Sequence, residues 1–293
     1  MNQSDMRLGI ALMIAATFVF AMQDGISRHL AANYNVFMVV MIRYWFFAAF
    51  VLVLAARKAG GLRAAAATTQ PLLQIARGLL LVTEICVTVV AFVALGLIAT
   101  HAIFASFPLI IAALSGPVLG ERVGPWRWAA IGVGFLGILV ILRPGVAVFE
   151  PEALIALAAA VLWASYGILT RLAARQDTTA TSFFWTGTVG AVGMTLVGAW
   201  FWQPMSRPDW GWMALLCVSG ALGHWLLIRC YEVVEANAVQ PFAYFQLVFV
   251  TLIAIPVFGE TLEPNVAVGA ALVIGAGLVA VWRERRTGAE RAS

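Results

Sequence analysis

The sequence predicts an all-α membrane protein whose ten transmembrane helices form two inverted five-helix repeats. Three observations carry that expectation. The 293 residues are 62% hydrophobic and only 11% charged, with a mean hydropathy of +0.94, whereas soluble domains run about 45–50% apolar and about 25% charged. The apolar residues gather into segments of about 20 residues, the length a helix needs to cross a ~30 Å hydrocarbon core. A proline–glycine–glutamate motif occurs twice, once in each half. Outer-membrane strands would alternate over about ten residues, and no such alternation is present.

The spans fall at about residues 8–28, 35–56, 72–93, 97–119, 126–143, 152–173, 181–202, 210–230, 236–258 and 265–282. Turn residues and charges separate most of them: Arg57-Lys58 with Gly60-Gly61, Gly120 to Pro125, Arg143-Pro144-Gly145, Arg171 to Asp177, and Pro204 to Asp209. Residues 78–119 carry no Lys or Arg and are too long for one crossing, so the chain must fold back, and Leu95-Gly96 is the expected turn. The first segment has signal-peptide character, with Arg7 ahead of an apolar run and Val19-Phe20-Ala21 as a cleavage pattern. Because it has a counterpart later in the chain, it reads as a retained helix.

With both termini cytoplasmic, fourteen of the 18 Lys and Arg residues fall on the cytoplasmic side. Only Arg28, Arg143 and Arg207 fall opposite, and Arg43 lies within a span. That asymmetry is the positive-inside pattern. The formal charge of +4 reports topology, and the basic, aromatic-studded aqueous face that nucleic acid requires is missing. Cys86, Cys217 and Cys230 all sit in apolar runs and read as buried free thiols.

Pro117-Val118-Leu119-Gly120-Glu121 with Pro125 recurs as Pro256-Val257-Phe258-Gly259-Glu260 with Pro264, at an offset of 139. Phe20-Ala21 and Ser27-Arg28 recur as Trp163-Ala164 and Thr170-Arg171, at an offset of 143. The halves are therefore drawn at 1–146 and 147–293. Five helices per half is an odd number, so the second half enters from the opposite side, a recurrent transporter design.

These residues carry a resemblance. The paired Gly-Glu motif before a Pro-started, Gly-rich final helix, Arg28 and Arg171 ending the first helix of each half, Arg43 inside the second helix and Arg77-Gly78 opening the third resemble the EamA-type branch of the drug/metabolite transporter superfamily. The resemblance implies ten helices, a central cavity, alternating access and small-metabolite transport in the bacterial inner membrane. Within the branch, the character is similar to exporters of aromatic and neutral amino acids. Drug or other-metabolite export on the same fold is the alternative, and a non-transporting scaffold or enzyme the second. The partners expected are a small-molecule substrate and the bilayer, with no nucleic acid and no obligate protein partner.

Ionisable residues inside a span cost several kcal/mol unless paired or hydrated, so they are candidates by default. Glu84 is close to mid-depth, either as a proton- or ammonium-binding carboxylate or as a hydrogen-bonded structural acid. Asp24 and Arg43 read as a pair joining the first two helices, or Arg43 as a fork for a substrate carboxylate. His224 is near mid-depth in the eighth span, where packing is the commoner role.

Aromatic and amide residues complete the expected cavity: Trp163, Ser165 and Tyr166 in the sixth span, Trp185 in the seventh, and Gln240, Tyr244 and Gln246 in the ninth. Pro108, Pro117, Pro241 and Pro256 interrupt the fourth and ninth spans and are the expected hinges. Trp200, Trp202, Trp210 and Trp212 read as an interfacial belt, and Glu121 and Glu260 as structural acids of the repeat. Gly132 to Gly137 matches G-x-G-x-x-G, but it lies inside an apolar helix and reads as close helix packing. No catalytic residue, metal site or cofactor is predicted, and no Walker A, H-E-x-x-H or G-x-S-x-G sequence occurs.

Overall fold

In the computed structural model, residues 3–57, 60–120, 125–142, 151–234 and 239–292 are described, and among them there are helices and no strands. The order is α1 (Gln3–Asn33), α2 (Val36–Ala56), α3 (Gly61–Ala66), α4 (Pro71–Ala94), α5 (Leu97–Phe104), α6 (Phe107–Leu119), α7 (Pro125–Leu142), α8 (Pro151–Ala173), α9 (Thr179–Gly198), α10 (Arg207–Val233), a 3-10 turn at Gln240–Tyr244, α11 (Phe245–Phe258) and α12 (Pro264–Ala292). Seven stretches are long and apolar enough to cross a bilayer, one of them being α5 with α6. Three shorter apolar helices, Trp128–Leu142, Phe242–Phe258 and Pro264–Val279, accompany them. This is a multi-pass helical membrane protein.

Local chemistry sets the boundaries. Asn35, Thr178 and Ser206 cap α2, α9 and α10 by accepting from backbone N–H groups that have no partner within the helix. The fold-back at Leu95-Gly96 is present: α4 stops at Ala94 and Gly96 adopts φ 94°, a conformation open to glycine. α6 and α11 end alike, each with a proline in its last turn (Pro117, Pro256) and a left-handed glycine cap (Gly120, Gly259).

The structure departs from the sequence reading in three places. The fourth span breaks at Ala105-Ser106, just ahead of Pro108, whose ring removes the bond to the Phe104 carbonyl. Pro108 sits in the first turn of α6, where a missing N–H costs nothing. The ninth span opens as a 3-10 turn at Pro241. The short α3 was not expected. Glu121 and the Arg143-Pro144-Gly145 boundary lie outside the described residues.

Lipid tails are as apolar as leucine, so packing here relies on small residues and polar contacts. α8 buries Ala153, Ala156, Ala160 and Ala164 along one face. Helix contacts come in matched sets: α1 packs on α10 as α4 packs on α8, and α1 on α11 as α6 on α8. α2 packs on α9, and α7 on α12. Two glycines of the G-x-G-x-x-G segment, Gly134 and Gly137, serve this packing, while Gly132 faces open space. A Cβ on Gly137 would lie 2.8 Å from the Gly269 carbonyl oxygen.

Candidate functional site

A cavity of about 80 Å³ opens between α2, α4, α8, α9 and α10. From α2 come Arg43, Phe47 and Phe50, spaced so that they share a face, together with Tyr44 and Phe46. Leu81 and Ile85 of α4 and Tyr166 of α8 form another wall, and Phe183 and Thr186 come from α9. α10 supplies Cys217, His224 and the small Gly220 and Ala221, which leave the room. At about 10–15 Å³ for each water the volume holds several waters.

The polar groups at the cavity divide by what they already bond. Arg43 makes no hydrogen bond or ion pair among the described residues, although its guanidinium has five donors. The Tyr44 hydroxyl and the Gln23 carbonyl oxygen are buried without a hydrogen-bond partner among those residues. A Cβ on Gly220 would sit 3.1 Å from Gln23 Oε1 and 4.0 Å from Arg43 Nε, so this glycine keeps open the point where the two side chains converge. His224 is held differently: its Nδ1 donates to the Gly220 carbonyl at 2.8 Å, and its ring packs edge-on to Phe20 and Phe183. Of these groups Arg43 and Tyr44 line the cavity and Gln23 lies behind Gly220.

Arg77 is the opposite case. It is 1% exposed, and each of its five donors has an acceptor. Nε reaches Gln74 Oε1 at 3.3 Å, and Nη1 reaches the Tyr166 hydroxyl at 3.3 Å and Thr170 Oγ1 at 3.1 Å. Nη2 reaches the Ser182 carbonyl at 2.9 Å and Thr186 Oγ1 at 2.8 Å. Gln74 passes the contact on to Asp177 at 2.7 Å. Arg77 thus binds α4 to α8 and α9 directly behind the cavity wall made by Tyr166 and Thr186. The sequence reading counted it as a cytoplasmic end charge and missed it; its place two turns into an apolar helix was the available signal.

Asp24 does not pair with Arg43. Its Oδ2 lies 3.1 Å from His101 Nε2 and accepts from Gln246 Nε2 at 3.0 Å, so it joins α1 to α5 and α11 and leaves Arg43 to the cavity. Glu84 is buried and accepts from Thr88 at 2.6 Å. Glu260 is a structural acid: it accepts from the backbone N–H groups of Leu97 at 2.7 Å and Ile98 at 2.9 Å and pairs with Arg28, whose guanidinium lies 4.3 Å from the Phe258 ring centroid.

The remaining candidates lie off the cavity. Trp163 packs against Phe104, Phe107 and Tyr166, at the α5–α6 break. Ser165 bonds back to the Val161 carbonyl, Trp185 donates to the Ala66 carbonyl, and Tyr244 packs on Gly277. The side chains of Gln240 and Pro241 lie outside the described residues. Tyr44, Gln23 and the phenylalanines of α2 and α9 were not singled out from sequence, because bulk aromatics in a span look the same whether they face lipid or a cavity.

Comparison with known proteins agrees with this architecture. The EamA-like transporter family matches the chain twice, over residues 7–143 and 151–282. An S-adenosylmethionine uptake transporter of Rickettsia prowazekii is 26% identical over 95% of this chain and 94% of its own. A riboflavin transporter of Vibrio cholerae is 29% identical over 65% of this chain and 64% of its own. A probable flippase subunit for 4-amino-4-deoxy-L-arabinose-phosphoundecaprenol from Pseudomonas paraeruginosa is 34% identical over 30% of this chain and 75% of its own. A solved crystal structure shares the fold, with a TM-score of 0.59 over 98% of this chain and 99% of its own at 18% identity. These relatives are named for uptake and other transport, and amino-acid export finds no support among them. The chain belongs to the EamA-like transporter family of the drug/metabolite transporter superfamily, and it is a transporter and not an enzyme.

Proposed function

We propose that the chain takes up S-adenosylmethionine, or a solute with the same pairing of a flat heteroaromatic ring and a carboxylate, across a bacterial inner membrane. The observation that carries this reading is Arg43, an arginine without a protein partner among the described residues in a cavity that also presents Tyr44, Phe46, Phe47, Phe50, Tyr166 and Phe183. A carboxylate satisfies the guanidinium fork, aromatic faces suit an adenine ring and a sulfonium cation, and the Rickettsia relative aligns over nearly its whole length. Riboflavin is the second reading, favoured by the aromatic wall and the Vibrio relative. It carries no anionic group and would leave Arg43 unanswered.

Transport proceeds by alternating access between two inverted five-helix halves, 1–146 and 147–293, with both termini in the cytoplasm. The duplicated family match, the equivalent caps at Gly120 and Gly259 and the matched helix contacts support this arrangement.

Purified protein in liposomes with radiolabelled S-adenosylmethionine tests the substrate. Uptake above empty vesicles is expected, with riboflavin and free amino acids competing weakly. Arg43→Gln should weaken the apparent affinity about tenfold to a hundredfold, the loss of one charge-assisted contact of about 1.5–3 kcal/mol. It should also cease to discriminate against decarboxylated S-adenosylmethionine. Absence of labelled uptake by the wild type overturns the reading.

A further inference from the structure

We propose that Asp24 and His101 form a proton-binding site that couples solute uptake to inward proton movement. The proposal rests on the transport reading above and goes beyond it, since nothing in the cavity itself requires a proton. The two side chains meet at 3.1 Å, with 13% and 9% of their surface exposed. His101 Nε2 is not aligned with the carboxylate as a hydrogen bond. Asp24 Oδ2 instead accepts from Gln246, so one carboxylate oxygen faces an amide and an imidazole together. The His101 ring stacks on Phe92 at 5.2 Å and meets Phe104 edge-on. A net charge change in such apolar surroundings is costly and therefore has leverage over packing.

Position gives that leverage a direction. α1 and α5 belong to the first half and α11 to the second, so the pair lies on a seam that alternating access must move. The N-terminus of α5 is held one turn away by Glu260, from the loop after α11.

Comparison of the halves separates this site from the scaffold. At the offsets of 143 and 139, Arg28 and Glu260 are matched by Arg171 and Glu121. Asp24, His101 and Gln246 are matched by Gly167, Gln240 and Phe107. At these three positions the other half carries neither an acid nor an imidazole.

The other charged groups facing the pair are accounted for. Arg28 and Glu260 answer one another. Glu84 on α4 lies within Coulombic reach of both Asp24 and Arg43 of α2, and accepts from Thr88. In each cycle one proton leaves hydronium on the outer side and forms an O–H or N–H bond on the pair. That bond breaks to water on the inner side, so one proton accompanies each solute and no other reactant is needed.

The experiment uses the full chain in liposomes with radiolabelled S-adenosylmethionine, comparing wild type with Asp24→Asn and His101→Gln. Counterflow, the exchange of labelled for unlabelled solute without a gradient, should persist in all three. An acid-outside gradient should raise wild-type accumulation severalfold and leave both variants unchanged. Variants that keep the full gradient response, or a wild type with counterflow but no gradient response, overturn the proposal. If the wild type exchanges neither S-adenosylmethionine nor riboflavin, the substrate reading fails and the site is judged by melting. The pH dependence of the wild-type melting temperature should then differ from that of both variants. Superimposable melting profiles in all three proteins refute the site.

Discussion

Replacing Glu260 by Gln tests whether a single carboxylate ties the two halves together at the end of the bundle where α4 turns into α5. The change is nearly isosteric, so it opens no cavity; it removes the charge and turns one acceptor oxygen into a donor. Glu260 accepts from two backbone N–H groups at the start of α5, at 2.7 and 2.9 Å. A hydrogen bond to a charged group is worth about 1.5–3 kcal/mol net against about 1 for a neutral one; the amide keeps a single acceptor oxygen, so one of the two bonds weakens by about 0.5–2 kcal/mol and the other is lost, its backbone N–H facing the amide NH2. The favourable meeting of an anion with a helix N-terminus removes a further ~0.3–1 kcal/mol. Arg28, mostly buried with its partner, keeps its position over the Phe258 ring, which softens the loss. The expected cost is about 2–4 kcal/mol. At about 2 °C per kcal/mol for a chain of this length, the melting temperature in detergent should fall by about 4–8 °C. Glu260→Asp keeps the charge but shortens the reach and should fall between. A Glu260→Gln protein that melts within about 1 °C of the wild type refutes the reasoning.

Two further substitutions probe packing and polar accounting by the same melting assay. Arg77→Lys offers three donors where five are used, so at least two acceptors lose their partner; at about 0.6–1.5 kcal/mol for each bond the melting temperature should drop by about 2–6 °C, and an unchanged value would mean that the buried guanidinium binds nothing together. Gly137→Ala pushes a methyl group to 2.8 Å from the Gly269 carbonyl oxygen and 2.9 Å from Val273 Cγ2 and should cost about 1–3 kcal/mol, while Gly132→Ala, with open space around it, should be neutral or stabilising through helix propensity. Equal effects at the two glycines would rule out close α7–α12 packing as the reason.

Much of the fold is legible because the bilayer is a severe solvent: apolar length alone marks the spans, and Gly96, Gly120 and Gly259 mark where they end. Partner choice is what sequence hides. Asp24 and Arg43 lie at similar depth on adjacent helices, which suggests a pair, yet Asp24 turns to His101, on a helix that follows only after the fold-back at Gly96. Arg77 has the composition of a helix-end charge, and only the three-dimensional meeting of Gln74, Tyr166, Thr170, Ser182 and Thr186 makes it a buried hub. Trp163 and Tyr166, three residues apart, diverge for the same reason, Tyr166 reaching the cavity and Trp163 the α5–α6 break.

The two arginines also show how a duplicated fold becomes directional. In the proposed inverted repeat, a pair of identical halves would give the outward- and inward-open states equal free energy. The differences between halves are therefore where bias resides. At the 143 offset Arg43 corresponds to Thr186 and Val39 to Ser182; at the 139 offset Arg77 corresponds to Leu216 and Gln74 to Met213. One seam, α4 against α8 and α9, is thus a polar lattice around Arg77. The equivalent seam, α10 against α1 and α2, is an apolar cluster containing Val39, Met213 and Leu216. Parting the first exposes groups that water can hydrate; parting the second exposes hydrocarbon at about 25 cal/mol per Å². On the proposed function these costs would respond differently to a charged solute, because a carboxylate arriving at Arg43 would lie against the wall that Arg77 supports through Tyr166 and Thr186. A solute can shift such an equilibrium only by its differential affinity for the two states, and in the proposed cycle this unduplicated pair of arginines would be where that difference is built.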